Sequence, residues 1–578
     1  MFERIFNDIA APLLDRVTNI ARGQSVTLSI VTVLVATYLL LYRCQLVKAH
    51  PNEPPIIPSA VPFIGHVLGM LLFGGRYVKN LGLRNPDKPI FTLPIPRSRM
   101  YIVTDPSLAM AVQRASKTLS FTPLVPDITK RVFGLDEDTV TIVRQHLDPA
   151  PREPRGFLAD MHDLVYAYFG PGEPLDELSL DAVRQLARQV DEYAAMVQRE
   201  DRKGSEVDLL GWIRHLVAVA TANLLYGDEN PISLHPELES AFWDFDHGLG
   251  SLLIGIFPSI IARKTYRGRE ALAAALEEYL VQNRHVSSDE GRRGASRIVQ
   301  KRVAIARDHG WALRMTARSE LSFLFAGIVN TATTTFWMVL HLFASASSSS
   351  TGADNLSLLS KIRSELSSVI SPDPESHTEP GLVLSLERLK SSASCPALDS
   401  LFRECLRRNS DTYSTRLVKS PTTLSGPAPG GSEGSQLYHL TADSVVQISG
   451  GTMHAEPRFW GPDADKFDPS RFLSVHSRNN NDNKTTTTNT HPAAFRAFGG
   501  GKTLCPGRHF AAVTIKSLVA LLATKFDITA APHDGDGDGG IAVPDKEDGV
   551  LPVHVLEPKR QVRVKVRVRD QRAVRVVA

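Results

Sequence analysis

The fold of this chain is decided by Phe498–Ala511, which reads FGGGKTLCPGRHFA. Glycines let the backbone adopt positive φ values and approach a flat cofactor closely. A loop that turns back on itself aims backbone N–H groups at the Cys505 sulfur, and such hydrogen bonds tune a metal bound to it. The apolar run that follows predicts a helix from about Gly507 through Ala523, with its positive dipole end beside a thiolate. The stretch therefore predicts a cysteine thiolate presented to a metal cofactor.

The same residues resemble the haem-ligand signature of the cytochrome P450 superfamily, Phe-x-x-Gly-x-x-x-Cys-x-Gly-x-x-x-Ala. Every fixed position of this signature is filled, by Phe498, Gly501, Cys505, Gly507 and Ala511. The resemblance implies haem b (iron protoporphyrin IX) with Cys505 as the axial thiolate ligand of the iron. It also implies that Phe498, Gly501 and Gly507 lie at the cofactor. An inert buried cysteine in a glycine-rich turn is the alternative, and five matches in one register disfavour it.

Length and composition indicate a globular protein that does not bind nucleic acid. The 578 residues would fill three or four domains of average size, or one large domain. Hydrophobic residues make up 43% and charged residues 22%, as is ordinary for a globular protein. The formal net charge of +3 is too small to suggest nucleic acid, and no basic stripe interleaved with aromatic residues is present.

The cysteines favour a reducing compartment. Cys44, Cys395, Cys405 and Cys505 are too few and too scattered for a disulfide framework. The CxxC and HExxH spacings that bind zinc do not occur, so zinc is not implied.

The amino terminus predicts a single-pass membrane anchor. After a segment over residues 1–24, the uncharged apolar run 25–42 lies at the short end of the roughly 17–25 residues that span hydrocarbon. A cleaved signal peptide is the alternative, but no small-x-small cleavage site follows. Residues 43–62 are rich in proline and predict a stiff hinge, which leads into a catalytic domain over 63–578. The resemblance to membrane-anchored eukaryotic members implies that this domain is cytosolic, on the endoplasmic reticulum membrane.

Apolar residues at helical spacing predict a mainly helical α+β chain. The clearest helical stretches are Leu180–Arg199, Glu239–Leu253, Leu272–Val286 and Trp311–Ala344. Strict alternation over Val562–Arg569 predicts a strand with one solvent-exposed face. The resemblance implies the cytochrome P450 fold with a small β-rich subdomain. Low-complexity composition predicts surface insertions near 345–355, 477–490 and 533–540.

A second constellation resembles the element by which family members hold the cysteine loop in place. Glu404 and Arg407 are spaced to share one face of a helix, although such pairs are common and weak evidence alone. Arg471 follows within Phe467–Phe472 (FDPSRF), which resembles the family's Phe-x-Pro-x-Arg-Phe element. The resemblance implies a buried structural lock formed by Glu404, Arg407 and Arg471. Loss of one member of such a triad leaves an unpaired buried charge.

The helix expected on the distal side of the haem departs from the family pattern. Most monooxygenase members carry an acid followed by threonine after an Ala-Gly pair, and here those positions hold Val329 and Asn330. Asn330 and Thr331 are the catalytic candidates. An Asn-Thr pair at this position resembles the branch of the family that contains steroid 7α- and 12α-hydroxylases and prostacyclin synthase. An amide donates and accepts hydrogen bonds but cannot titrate, so Asn330 can orient a water or a peroxide. The alternative is a stretch whose side chains bond to the carbonyls of their own helix.

Arg416 is the candidate ligand for a haem propionate. Family members often carry a basic residue on this strand, and a guanidinium grips a carboxylate in two places. The usual basic partner two residues before the cysteine is replaced by Thr503, and the usual Trp-x-x-x-Arg in the N-terminal half is absent. Arg144 is the nearest substitute for that arginine. A surface location is the alternative for both arginines.

The resemblance implies a haem-thiolate monooxygenase that hydroxylates a lipophilic substrate: a sterol, a terpenoid, a fatty-acid-derived compound or another secondary metabolite. The resemblance also implies that O2 is the oxidant and that electrons come from an NADPH-cytochrome P450 reductase. The sequence itself contains no flavin or dinucleotide fingerprint. Membrane lipid is the other expected partner. Two alternatives stay open. One is a haem-thiolate isomerase or dehydratase that acts on a peroxide without a reductase, and the other is a haem binder without catalysis.

Overall fold

The structure of the protein is a computed structural model. It describes residues 30–147, 153–200, 205–286, 293–344, 357–374, 380–431, 434–473, 491–532 and 540–578. The predicted N-terminal segment, the first residues of the predicted anchor and the predicted insertions lie outside the described residues, apart from residue 540.

Helices dominate the described residues, and short strands form several small sheets, so the predicted mainly helical α+β fold is confirmed. The helices are α1 (Ile30–Gln45), α2 (Gly65–Arg84), α3 (Pro106–Arg114), α4 (Val125–Phe133), α5 (Glu137–Arg144), α6 (Phe157–Phe169), α7 (Glu173–Glu200), α8 (Leu209–Tyr226), α9 (Pro231–Leu234), α10 (Glu237–His247), α11 (Leu249–Ile254), α12 (Pro258–Ile261), α13 (Arg263–Val281), α14 (Arg297–Asp308), α15 (Leu313–Ala344), α16 (Leu358–Leu366), α17 (Leu386–Lys390), α18 (Pro396–Asn409), α19 (Gly450–Ala455), α20 (Pro457–Trp460) and α21 (Arg508–Lys525). The strands are β1 (Ile90–Ile95), β2 (Ser98–Val103), β3 (Leu119–Ser120), β4 (Ser205–Asp208), β5 (Ile370–Pro372), β6 (Leu382–Ser385), β7 (Tyr413–Val418), β8 (Thr422–Pro427), β9 (Ser435–Leu440), β10 (Val445–Ser449), β11 (Phe526–Ala530), β12 (Arg563–Val568) and β13 (Val574–Val577).

The long helix α15 is the centre of the core. Its apolar residues are spread around the helix rather than along one stripe, and such a helix is stable when neighbouring elements cover most of it. It packs against α8, α13 and α21, and its aromatic residues Phe336 and Trp337 are almost completely buried. The Trp337 indole N–H donates to the carbonyl of Leu556 at 2.8 Å, so the C-terminal segment is fixed to this helix. The central helix therefore lies beside α21, the helix that follows Cys505.

Membrane-spanning candidates differ in how deeply they are buried. Among the described residues, α8 and α15 are long and apolar enough to cross a membrane, but most of each is buried inside the protein, as in core helices. The shorter apolar helix α1 is exposed along most of its length and overlaps the predicted anchor at residues 25–42. It is attached to the hinge by Gln45, whose side-chain amide donates to the carbonyl of Ser59 at 3.1 Å.

Two sheets position the functional loops. The larger sheet has five strands in the order β1-β2-β10-β7-β3, and it places Arg416 of β7 opposite Val446 of β10. A three-stranded sheet, β11-β12-β4, extends directly from the end of α21. In β12 the side chains of Val564 and Val566 are buried while Arg563 is exposed, so the predicted one-sided strand is confirmed.

Candidate active site

The loop before Cys505 folds back on itself. Gly499 and Gly501 have positive φ angles of 71° and 62°, which residues with a Cβ rarely adopt. The turn brings the backbone N–H of Cys505 to the carbonyl of Phe498 at 2.9 Å, and the N–H of Leu504 to the carbonyl of Gly501 at 3.0 Å. The glycines therefore set the backbone path that presents the half-buried Cys505 side chain.

The surroundings of the sulfur include groups that favour its anion. Burial raises the pKa of the Cys505 thiol, whereas a hydrogen bond from the Gly507 backbone and the nearby Arg508 guanidinium act to lower this pKa. Helix α21 begins at Arg508, close to the predicted start, and its positive dipole end lies next to the sulfur. A Cβ added at Gly507 would lie 4.0 Å from the sulfur, so the backbone passes close beside it.

Aromatic side chains support the loop from neighbouring helices. The Phe498 ring lies 6.4 Å from the ring of Phe402 on α18. From α6, the Tyr166 hydroxyl donates to the carbonyl of Leu504 at 2.7 Å, and the Phe169 ring meets the Phe510 ring edge-on at 5.4 Å. Tyr166 and Phe169 could not be identified from the sequence, because no local spacing shows that α6 contacts the cysteine loop.

The structure brings Glu404, Arg407 and Arg471 together. Arg407 binds the Glu404 carboxylate with Nε and Nη2, each at 2.7 Å, and Arg471 Nε lies 3.4 Å from Glu404 Oε1. The Glu404 and Arg407 side chains are fully buried and that of Arg471 is 4% exposed. The backbone N–H of Asp468 also donates to Glu404 at 3.0 Å. One carboxylate on α18 thus fixes the segment around Arg471, which precedes the cysteine loop.

Asn330 and Thr331 face different parts of the structure. Beyond its first two residues, helix α15 is exposed only at Ala326 and Asn330, which lie four residues apart, so this face borders open space. Asn330 Oδ1 accepts a hydrogen bond from the backbone N–H of Val555 at 3.0 Å. Thr331 is buried and lines a separate small cavity with Phe510 of α21. The two candidates do not converge on one point.

Arg416 is buried and contacts the cysteine loop. Its guanidinium donates to the hydroxyl of Thr503 and to the carbonyl of Thr415. Thr503 in turn donates to the carbonyl of Gly500 at 3.3 Å. Thr503, at the position where the family usually has a basic residue, therefore serves as a partner of Arg416.

A second buried arginine, Arg496, lies near Arg416 and was not identified from the sequence. It is 4% exposed, and burial together with the charge of Arg416 lowers its pKa to about 10. In the described part of the chain no carboxylate forms an ion pair with either guanidinium, and Arg496 Nε is buried without a hydrogen-bond partner. Two buried cations that both reach the cysteine loop, one of them with an unsatisfied donor, fit an anionic cofactor edge such as a pair of haem propionates.

Arg144 lies elsewhere. It is at the end of α5, half-exposed, and forms an ion pair of 2.7 Å with the exposed Asp127. Its position in the sequence makes it the substitute candidate for a propionate ligand. Its observed partner is instead a surface carboxylate.

Comparisons with known proteins agree with this geometry. Residues 184–547 match the sequence model of a protein family that is described as Cytochrome P450. The chain is similar to the cytochrome P450 monooxygenase nodJ of Hypoxylon pulicicidum, with 28% identity over 509 residues that cover 87% of this chain and 88% of that protein. It is also similar to the 7-alpha-hydroxycholest-4-en-3-one 12-alpha-hydroxylase of Homo sapiens, with 22% identity over 507 residues, 87% of this chain and 91% of the relative.

A solved structure shares the fold. Retinoic acid bound cyanobacterial CYP120A1 superimposes with a TM-score of 0.61 at 20% sequence identity, covering 89% of this chain and 99% of that chain. At this level of identity the likeness concerns the fold alone.

Proposed function

The chain belongs to the cytochrome P450 family and is an oxidoreductase of the monooxygenase class, and from this premise we propose that it hydroxylates a lipophilic substrate with O2 and electrons from an NADPH-cytochrome P450 reductase. The observation that carries the proposal is the Cys505 loop. A half-buried thiol follows a backbone turn with two positive φ angles; burial raises its pKa, and the Gly507 backbone and the Arg508 charge partly oppose this rise. This arrangement suits a thiolate that binds a metal from one open side.

In this proposal Cys505 is the axial ligand of haem b, and the residues around it hold the cofactor. Haem with a thiolate ligand supplies O–O cleavage and oxygen insertion into a C–H bond. Phe498 packs beside the loop, while Gly501 and Gly507 let the backbone approach the cofactor closely. Arg416 would bind a propionate, as a guanidinium at a buried carboxylate does.

The buried triad of Glu404, Arg407 and Arg471 acts as the structural lock of the proposed site. The Arg407 Nη1 group donates to the carbonyls of His454 and Ala464 at 2.6 and 2.8 Å, so the triad ties α18 to two further segments. Its role is to fix the backbone that leads to the cysteine loop, since each buried charge is satisfied only when all members are in place.

Asn330 has a defined orientation in this proposal. Because its oxygen accepts the Val555 N–H, the two N–H donors of its amide remain for the open space beside α15. The amide can therefore donate a hydrogen bond to an oxygen atom of a water or a substrate, but it cannot deliver a proton itself. Thr331 has a hydroxyl and is the second candidate, although it lines a different cavity.

Exposed apolar residues support a lipophilic substrate and a membrane location. On α2, Leu72 is 70% exposed and Phe73 is 48% exposed. Around α12, Phe257 is 72% exposed and Ile260 is 75% exposed. The segment around Leu551 lies between α2 and α11, since a Cβ at Gly75 of α2 would meet Pro552 at 2.7 Å and a Cβ at Gly250 of α11 would meet the Leu551 Cβ at 3.7 Å. Apolar surface of this extent, together with helix α1, suits contact with the endoplasmic reticulum membrane, with the domain on its cytosolic side.

The name of the human relative concerns a steroid, and those of the fungal relatives specify no substrate. We therefore extend the proposal to sterols, terpenoids and other lipophilic secondary metabolites as a class. A second candidate function is isomerisation or dehydration of a peroxide without a reductase. It is favoured by Val329 and Asn330, because neither side chain can titrate and a peroxide brings its own O–O bond.

The first test is the reduced carbon-monoxide difference spectrum of the purified protein, compared with Cys505→Ala. We expect a red-shifted Soret band that is lost in the variant and retained in the matched control Cys395→Ala, in which another free cysteine is changed. A band that survives Cys505→Ala would exclude this cysteine as the ligand. With the band established, product formation that requires NADPH and the reductase separates the monooxygenase from the peroxide isomerase.

A further inference from the structure

Two buried arginines reach the cysteine loop, Arg416 at Thr503 and Arg496 beside Gly500, and no carboxylate in the described residues forms an ion pair with either. Arg416 is 5% and Arg496 4% exposed, and the charge of Arg416 acts on Arg496. Burying one cation without a partner is costly, and a second cation beside it adds repulsion. Other buried arginines in the described residues, such as Arg302 and Arg407, have carboxylate partners. The pair therefore suits an anionic group that the described residues do not supply.

The backbone of Arg496 is held by a neutral histidine. The Arg496 N–H donates to Nε2 of His454 at 2.8 Å, and Nδ1 of the same ring faces the carbonyl of Ser410 at 2.8 Å. Nε2 must accept and Nδ1 must donate, which fixes the neutral tautomer. The position of Arg496 is thus set by α19, which carries His454, and by the end of α18.

The guanidinium of Arg496 is held by Gln113 of α3. With the Gln113 carboxamide oxygen facing the guanidinium, it accepts from Nη1 at 2.8 Å and also from Nη2. Nη1 and Nη2 are thus engaged, whereas Nε remains without a partner. An added Cβ at Gly500 would lie 2.3 Å from the Gln113 amide and 3.2 Å from Arg496 Nη1. The cysteine loop therefore has glycine where a side chain would displace this pair.

We propose that Arg496 is a second ligand of the haem propionates, positioned by Gln113, and that it supplies the positive charge missing at Thr503. The inference rests on the proposed haem site. Arg416 and Arg496 together offer two guanidiniums to the two carboxylates of the cofactor, and their positive charge is neutralised when the cofactor is bound. Arg416 approaches from β7, and Arg496 approaches from the segment before the cysteine loop.

The test is the rate at which the holoenzyme loses haem to excess apomyoglobin, followed by Soret absorbance. We expect Arg496→Gln to accelerate haem loss about 10- to 100-fold, because charge-assisted hydrogen bonds to a carboxylate are lost. Arg496→Lys keeps the positive charge but cannot bind a carboxylate with two N–H groups at once. It is expected to lose haem at a rate between those of the wild type and Arg496→Gln. Arg114→Gln is the matched control, since Arg114 is exposed on the same helix as Gln113. Gln113→Met, which keeps the approximate volume, should also accelerate haem loss, by a smaller factor.

A second arm tests whether the carboxylates are what Arg496 binds. The wild type and Arg496→Gln are both reconstituted with haem dimethyl ester, whose propionates are uncharged, and the two proteins should lose this cofactor at nearly the same rate. An equal effect of Arg496→Gln on haem and on the ester would overturn the proposal, because the arginine would then act on folding or on another anion. If Arg496→Gln does not fold, the same comparison is made with Arg496→Lys and Gln113→Met. A wild-type protein without any thiolate haem band would overturn the proposed function itself.

Discussion

The carboxamide oxygen of Asn330 accepts the backbone N–H of Val555 at 3.0 Å, across 225 positions of sequence. This bond ties the central helix to the C-terminal segment, which the Trp337 indole also holds through the carbonyl of Leu556. The residue at the expected oxygen-activation position is therefore also a packing residue. Its two roles can be separated by substitutions that keep or remove the acceptor.

Asn330→Ala should lower stability, whereas Asn330→Asp should retain most of it. Alanine leaves the Val555 N–H without its acceptor, at a cost of about 1–3 kcal/mol, while aspartate keeps an oxygen at that position. Both changes remove the amide donors, so both should reduce turnover. Urea unfolding midpoints and product formation measure the two effects. Equal midpoints for both variants would contradict the structural role of the bond.

Glu404→Gln should destabilise the protein strongly. Its carboxylate is the shared partner of Arg407 and Arg471, and loss of one member of a buried ion pair costs about 3–5 kcal/mol. We expect a lower urea midpoint and a lower haem-to-protein absorbance ratio. Asp463→Asn is the control, because Asp463 also binds Arg471 but its side chain is 46% exposed. A comparable loss in the control would show that burial of the charge is not the cause.

The local motifs were predictable from residue spacing, and the long-range partnership of Arg471 with Glu404 only from the family resemblance, whereas the partner of Arg496 was not predictable from either. The spacing of Glu404 and Arg407 and the glycines around Cys505 are fixed over a few residues, so their contacts follow from helix and loop geometry. The partnership of Gln113 with Arg496 joins segments far apart in sequence and depends on how α3 packs against the cysteine loop. No periodicity or composition carries that information.

Arg144 illustrates a candidate that was chosen from its position in the sequence alone. Arg144 is the nearest substitute for the arginine of the missing Trp-x-x-x-Arg motif, which made it a candidate propionate ligand. At the end of helix α5, however, its side chain binds the exposed Asp127. Residues of the N-terminal half that do reach the cysteine loop include Tyr166, through the Leu504 carbonyl, and Gln113, beside Gly500. Which side chain of a helix faces a distant loop is decided by tertiary packing, which a single sequence does not show.

Stability should fall as the pH drops below neutrality because of His454. Burial is the main cause that lowers the pKa of His454 to about 3. A histidine in the unfolded chain has a pKa of about 6.5. Between these values the unfolded chain binds more protons, so the stabilisation is complete above about pH 6.5 and is lost as the pH falls toward the folded pKa. Asp411, Arg407 and Lys546 are the charged groups that act on this ring.

His454→Asn should therefore flatten the dependence of the urea midpoint on pH between about 4.5 and 6.5. The slope should decrease rather than vanish, because burial also lowers the pKa of His341 to about 3. The absolute midpoint should fall at every pH, since the bonds to Ser410 and Arg496 are weakened. An unchanged slope in the variant would show that His454 is not the group that titrates.

Gly500→Ala should reduce haem retention through a side-chain clash. The φ of Gly500 is 168°, an extended value that any residue adopts, so backbone strain is not the reason. The obstacle is the Gln113 amide, 2.3 Å from the added Cβ. Gly250→Ala is the control, since its nearest neighbour, Leu551 Cβ, would be at an ordinary 3.7 Å.

Shortening Gln113 in the Gly500→Ala background distinguishes this clash from general disturbance of the loop. The double variant Gly500→Ala with Gln113→Ala should recover haem content to the level of Gln113→Ala alone, because the atoms that collide are gone. The two substitutions touch the same site, so their effects should be less than additive. The haem-to-protein absorbance ratio of the four proteins measures this coupling. Additive losses would mean that the alanine acts on the backbone of the cysteine loop, and that the glycine is needed for a reason other than room for Gln113.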